Sequence, residues 1–177
     1  YPLAISTAQF TTNTQWAYVM TKIINVLIST AIIFPAFLLL KKFLADKQSL
    51  LWASIAAFHP SVFAFAPYVM SENLFYTLVL CSTLVMVDAI KTQRTHLHLL
   101  AGILLGAVFL TRTLGLLFIP IYIIAQSMHM KRSGKGTIKK HLLNLVIAAV
   151  IAGIFVMSWM IYNISFASDK PLGVYTP

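Results

Sequence analysis

The sequence predicts an all-α, polytopic transmembrane helix bundle with six spanning helices. Three features predict it: a high apolar content, apolar runs of membrane-crossing length, and cations gathered in the short segments between those runs. Of 177 residues, 59% are hydrophobic and 10% are charged, whereas a soluble domain carries about 25% charged residues. A chain of that composition cannot hide its apolar residues in one aqueous core, and a bilayer is the solvent that suits it.

A spanning helix needs about 20 mostly apolar residues. The first run extends from Trp16 to Leu40 and stops at Lys41 and Lys42, with Trp16 and Tyr18 suited to the opposite interface. The stretch from Ser49 to Ile90 is too long for a single helix. It divides at Pro67, which disrupts the hydrogen-bond ladder, and at Ser71-Glu72, which resembles a helix start. Two spans follow, at 49–67 and 71–90. From Leu99 to Met128 the chain is apolar except for Thr111-Arg112-Thr113. One long helix here would bury Arg112 near mid-bilayer, at about 3 kcal/mol on insertion scales. It would also send one of two basic segments across the membrane. A hairpin with Arg112 at its apex avoids both, giving spans at 99–111 and 113–129. The last span is 142–162, and 163–177 is read as an outer tail of the single transmembrane domain 1–177.

Charge then fixes the expected sidedness. Ten of the thirteen Lys and Arg residues lie in the segments 41–49, 91–98 and 131–141. With six spans, all three segments fall on one face, which the positive-inside rule makes cytoplasmic. Both chain ends then lie on the non-cytoplasmic side of a multi-pass membrane protein, most simply in a bacterial-type plasma membrane. Membrane lipids, with anionic headgroups at those loops, are the expected partners. The opening Tyr1-Pro2-Leu3 and the closing Val174-Tyr175-Thr176-Pro177 read like the interior of a longer chain.

The net charge of +9 does not indicate nucleic acid, because the aromatic-basic interleaving of single-strand binders is missing. The single cysteine, Cys81, excludes an internal disulfide and a thiolate metal site. His96, His98, His129 and His141 fall in or beside basic segments without Glu or Cys at ligand spacing, so no metal or other cofactor site is identifiable. A requirement for a divalent metal stays open. Gly134 and Gly136 lack the strand-loop-helix setting of a phosphate cradle.

The unusual residues lie toward the outer face. Glu72 and Arg112 each sit at a junction between apolar runs, where ionisable groups are costly and often functional. They could equally form a structural ion pair or rest among headgroups. Lys22 lies about two turns into the first span and either snorkels to the interface or meets a lipid phosphate. His59 precedes Pro60, whose kink frees a carbonyl for it to bond. Asp88 pairs with Lys91 at i+3. Asn163-Ile164-Ser165 matches a glycosylation sequon, which is meaningless in a bacterial chain. The spans otherwise look nearly free of polar residues.

The order of several motifs resembles the large membrane glycosyltransferases of the GT-C fold. The similarity is to the group that includes protein O-mannosyltransferases and bacterial aminoarabinose transferases of lipid A. It rests on Tyr1-Pro2-Leu3, Lys41-Lys42, His59-Pro60 through Met70-Ser71-Glu72-Asn73, Ala101-Gly102 with Gly106, Leu110-Thr111-Arg112-Thr113-Leu114-Gly115, and Ser158-Trp159-Met160-Ile161-Tyr162-Asn163. Two departures stand in the last motif, where the group has Pro and Arg in place of Ser158 and Tyr162. The resemblance implies transfer of a sugar from a polyprenyl-phosphate donor to an acceptor of unidentified class at the non-cytoplasmic face. It implies an acidic catalytic residue in a first outer loop, expected upstream of Tyr1. Candidate substrate contacts are Glu72, Arg112, Lys22, Ser71, His59 and Asn163, with Pro35, Pro60, Pro67 and Pro120 bending helices around a groove for the prenyl chain. The alternatives are a non-catalytic membrane scaffold and a transporter component.

Overall fold

A computed structural model describes residues 14–58, 71–132 and 138–167. Among them the chain is helical, with no strand. The helices are α1 (Thr14–Thr30), α2 (Ile33–Leu40), α3 (Asp46–Ala57), α4 (Ser71–Thr92), α5 (Thr95–Thr111), a 3-10 turn (Thr113–Leu117), α6 (Phe118–Arg132) and α7 (Ile138–Ala167). They form two compact units, one ending at Thr92 and the other starting at Gln93.

Four segments are long and apolar enough to cross a membrane: Gln15–Leu40, Glu72–Thr92, Thr113–Arg132 and Ile138–Ser165. Thr95–Thr111 is apolar but shorter. The 12 residues of α3 would reach only about 18 Å, short of a bilayer core. The remainder of the expected 49–67 span, with His59, Pro60 and Pro67, lies outside the described residues.

In the first unit, the expected span 16–40 is interrupted between α1 and α2. Pro35 has no N–H to offer the Ala31 carbonyl, and Phe34 N donates to that oxygen instead at 3.2 Å. The ladder thus tightens to i→i−3 ahead of the proline. Helices α1 and α4 run parallel. Asn73 Nδ2 donates to Asn25 Oδ1 at 3.1 Å, and Thr77 Oγ1 to the Ile28 carbonyl at 3.1 Å, so residue numbers rise together along both helices. Farther along, Lys42 forms an ion pair with Asp88. That corrects the expected pairing of Asp88 with Lys91 on its own helix. The end of α2 brings Lys42 to the carboxylate, and Lys91 Nζ instead lies 5.6 Å from the Phe43 ring centroid. Lys41 meets Asp46 at 3.2 Å, in the first turn of α3, where a carboxylate also suits the helix dipole.

In the second unit, α5 and α7 run parallel and α6 runs against α5. Thr95 meets Asn144, Gly102 meets Ala148 and Phe109 meets Trp159, which sets α5 and α7 in one direction. Gln93 meets Gln126 and His98 meets Tyr122, which sets α6 in the other. The hairpin expected around Arg112 is thus the observed path of the chain. Close approach of α5 and α7 depends on small residues, as is usual for helices associating in lipid. A Cβ on Gly102 would sit 2.7 Å from the Ala148 carbonyl oxygen, and one on Gly106 would sit 2.4 Å from the Phe155 ring. Ala101, Val108, Ala148 and Ala152 are fully buried around that seam.

The last helix overruns its expected end at Tyr162 and continues to Ala167. Ile164 and Phe166 keep the segment apolar, and no proline follows until Pro171. The start of the expected outer tail is therefore helical.

The seam gives a direct test. Gly102→Leu should destabilise the second unit by about 1–3 kcal/mol, because the obstacle is backbone and cannot rotate away. Gly153→Ala, with nothing within 4 Å of the new Cβ, should be neutral or slightly stabilising. Denaturant unfolding in detergent, followed by circular dichroism, measures both.

Candidate functional site

In the second unit the candidate residues gather at the end where α5 breaks. Arg112 leaves the helix with φ −149° and ψ 138°. Its N–H and the Thr111 hydroxyl both donate to the Val108 carbonyl, at 3.2 Å and 2.7 Å. The Arg112 carbonyl accepts from the Gly115 N–H at 2.8 Å, which folds the following turn back onto α5. Gly115 is required there, since a Cβ would lie 2.6 Å from backbone atoms of Val108 and Phe109. Arg112 is half-buried.

Because α5 and α7 are parallel, the late residues of α7 reach the same end as Arg112. Trp159 stands edge-on to Phe109, with ring centroids 5.5 Å apart, and is 40% exposed. One turn on, Asn163 Nδ2 donates to the Trp159 carbonyl at 2.8 Å. A forked cation, an exposed indole and a carboxamide thus share one end of this unit. Together they offer charge for a phosphate and an apolar face for a sugar ring or a prenyl chain.

In the first unit, Lys22 and Glu72 belong to one end of the α1–α4 pair. Lys22 precedes Asn25 by one turn, and Glu72 immediately precedes Asn73, which donates to Asn25. Lys22 is half-buried, and its Nζ lies 4.4 Å from the Tyr18 ring centroid, a cation–π arrangement directed toward the start of α1. Glu72 stands in the first turn of α4, where the helix dipole favours a carboxylate. The backbone of Ser71 opens that helix, but its side chain, like the whole of His59, lies outside the described residues.

Polar groups inside the helices are more numerous than the sequence suggested, and the expectation of spans nearly free of them is corrected. Asn25 and Asn73 are almost fully buried against each other. Ser29 donates to the Asn25 carbonyl at 2.9 Å, and Thr77 to the Asn73 carbonyl at 3.2 Å. In the second unit, Gln93 and Gln126 exchange amide hydrogen bonds of 3.1 Å and 3.0 Å. Asn144 Nδ2 donates to the Gln93 carbonyl at 3.3 Å. These contacts hold Gln93 in the left-handed region, φ 52°, at a cost of roughly 1–3 kcal/mol for a residue with a side chain.

His98 and His141, expected in or beside loops, are buried within helices. His98 is hydrogen-bonded to Tyr122, and the His141 ring lies 5.5 Å from that of His129. Among the described residues, no three His, Cys, Asp or Glu side chains gather to hold a metal ion. Cys81 is a half-buried free thiol. One signal for the buried groups was present in the sequence. Asn25 with Ser29, and Asn73 with Thr77, are i,i+4 polar pairs on predominantly apolar helices, a spacing that places each pair on one face.

This is the architecture of an integral membrane protein built from apolar helices. A family model described as dolichyl-phosphate-mannose-protein mannosyltransferase matches residues 1–162. The chain belongs to that family and is a membrane glycosyltransferase of the GT-C type. No curated protein and no solved structure gives a match.

The asparagine pair separates a shared bond from two independent ones. Asn73→Leu alone should destabilise the first unit by about 1–3 kcal/mol, because Asn25 loses its partner in an apolar setting. Adding Asn25→Leu should recover much of the loss. Unfolding midpoints of the two single variants and the double variant check this, and strictly additive losses would contradict it.

Proposed function

We propose that this protein transfers a sugar from a polyprenyl-phosphate-linked donor to an acceptor at the non-cytoplasmic face of the membrane, with Arg112 holding the donor phosphate. The observation that carries the reading is the break of α5 at Arg112, in a chain of this family. The break leaves Arg112 at a helix end instead of inside a continuous apolar helix, and the parallel path of α7 supports the presence of Trp159 and Asn163 at the same end of the unit.

The donor phosphate becomes a leaving group when the bond from the sugar carbon to the phosphate oxygen breaks. Negative charge grows on that oxygen, and a fixed guanidinium stabilises it more in the transition state than in the ground state. The planar fork of N–H groups suits two phosphate oxygens at once. In the first unit, Lys22 is a cation suited to a lipid phosphate, and Glu72 is an acceptor suited to a sugar hydroxyl. Ser71, His59 and Asn163 are further polar contacts for the donor. The cations at 41–47, 91–94 and 131–140 favour a cytoplasmic position for those segments. In the six-span path, Glu72, Arg112 and Asn163 then face the other side, where the prenyl phosphate of the donor would lie at headgroup depth. The family description supports the donor class, while the acceptor stays unspecified.

The test uses membranes carrying the full chain, polyprenyl-phosphate mannose as donor, and released polyprenyl phosphate as readout. Arg112→Ala and Glu72→Gln should each lower turnover by at least about tenfold, with unchanged amounts of folded protein. Arg112→Lys should recover only part of the loss, because an ammonium lacks the fork. Normal turnover in both Arg112→Ala and Glu72→Gln would rule out the two roles. A wild-type protein that turns over no such donor would overturn the donor class.

A further inference from the structure

We propose that the second unit carries, at the end opposite Arg112, a docking surface for an anionic phospholipid. The proposal is independent of the sugar-transfer reading and concerns a different part of the unit. The antiparallel path of α6 between two parallel helices brings three helix ends together. These are the start of α5 with Arg94, the end of α6 with Lys131 and Arg132, and the start of α7 with Lys139 and Lys140. All five cations are exposed.

Among the described residues of this unit no carboxylate compensates their charge. From Gln93 to Ala167 the sequence contains no Asp or Glu. The first unit differs, since its Lys41 and Lys42 meet Asp46 and Asp88. Membrane topology alone would be satisfied by cations paired in that way. Lys139 and Lys140 also stand in the first turn of α7, where the helix dipole adds positive potential. Five like charges crowded at one end are stabilised by a bound anion, and the adjoining surface specifies which kind.

Behind the cations the helices present exposed apolar stripes. On α7 the series Lys139, Leu143, Val146 and Val150 recurs at helical spacing on one face, and its three apolar members are exposed. On α6 the exposed Ile121, Ile124 and Met128 lead in the same manner to Lys131 and Arg132. An acidic peptide or polynucleotide would meet the charges and leave these stripes uncovered. A phospholipid meets both, with its phosphate on the lysines and its acyl chains along the stripe.

The experiment reconstitutes the purified full chain into vesicles of equal parts phosphatidylcholine and phosphatidylglycerol. The chain is then extracted in mild detergent, and the co-purifying lipid is measured by mass spectrometry. Phosphatidylglycerol should be enriched over its share of the vesicle. Each neutralised cation should lower the bound phosphatidylglycerol-to-phosphatidylcholine ratio by up to about fivefold, equivalent to about 1 kcal/mol. Lys139→Gln/Lys140→Gln and, separately, Lys131→Gln/Arg132→Gln should both show the loss, whereas Lys47→Gln in the first unit should not. Phosphatidylglycerol should also raise the thermal midpoint of the wild type more than that of either double variant. Equal recovery of the two lipids by the wild type, or undiminished enrichment in both double variants, would overturn the proposal.

Discussion

A polar group inside hydrocarbon has no water to fall back on, so it must find its partner within the protein. The irregular features of both units follow from that constraint. Pro35 leaves a carbonyl without its usual donor, and the helix tightens so that Phe34 supplies one. At Arg112 the helix ends, and the Val108 carbonyl takes both the Arg112 N–H and the Thr111 hydroxyl. Asn25 and Asn73 satisfy each other across two helices. Gln93 accepts a left-handed backbone because Gln126 and Asn144 occupy its amide and carbonyl.

The same constraint acts with connectivity to sort the residues by end. Successive spans reverse direction, so spans two apart in sequence run parallel. That holds within the first unit for α1 and α4, and within the second for α5 and α7. Parallel helices align their dipoles unfavourably, and packing or hydrogen bonds must offset this. The Asn25–Asn73 bond does so in one pair. In the other, the Gly102–Gly106 face and the Thr95–Asn144 bond do so. Parallel pairing also places equivalent ends side by side. Arg112 meets the level of Trp159 and Asn163 for that reason, and the cations of the second unit collect at the other end.

Much of this was legible in the sequence, because apolar run length and cation placement are properties of long segments. The hairpin at Arg112 could be read from the cost of a buried guanidinium together with the basic segments on either side. The helix start at Ser71 could be read from the Ser-Glu signal. Partner choice was less legible. Asp88 has a cation three residues away on its own helix and another, Lys42, that only the fold brings near. The buried amides were missed because one Asn or Gln scarcely alters the mean hydropathy of a span. Whether such a residue faces lipid or a neighbour depends on helix rotation, which a single sequence leaves open. The extension of α7 to Ala167 was not anticipated, since polar residues such as Asn163 and Ser165 resemble a tail until their neighbours are counted.

The turn after α5 also separates what the backbone needs from what the chemistry needs. At Gly115 the geometry dictates the residue, because any side chain would meet the backbone of Val108 and Phe109. At Arg112 it does not. The backbone there is extended, a conformation open to any residue, and its N–H and its carbonyl each bond to a backbone atom. Threonine, leucine or alanine would make the same turn without placing a charge beside a membrane span, where arginine is among the costliest residues to insert. The backbone therefore explains the break at residue 112 without itself requiring an arginine there. The proposed donor phosphate supplies a reason for an arginine at this position, because its oxygens match the fork of N–H donors.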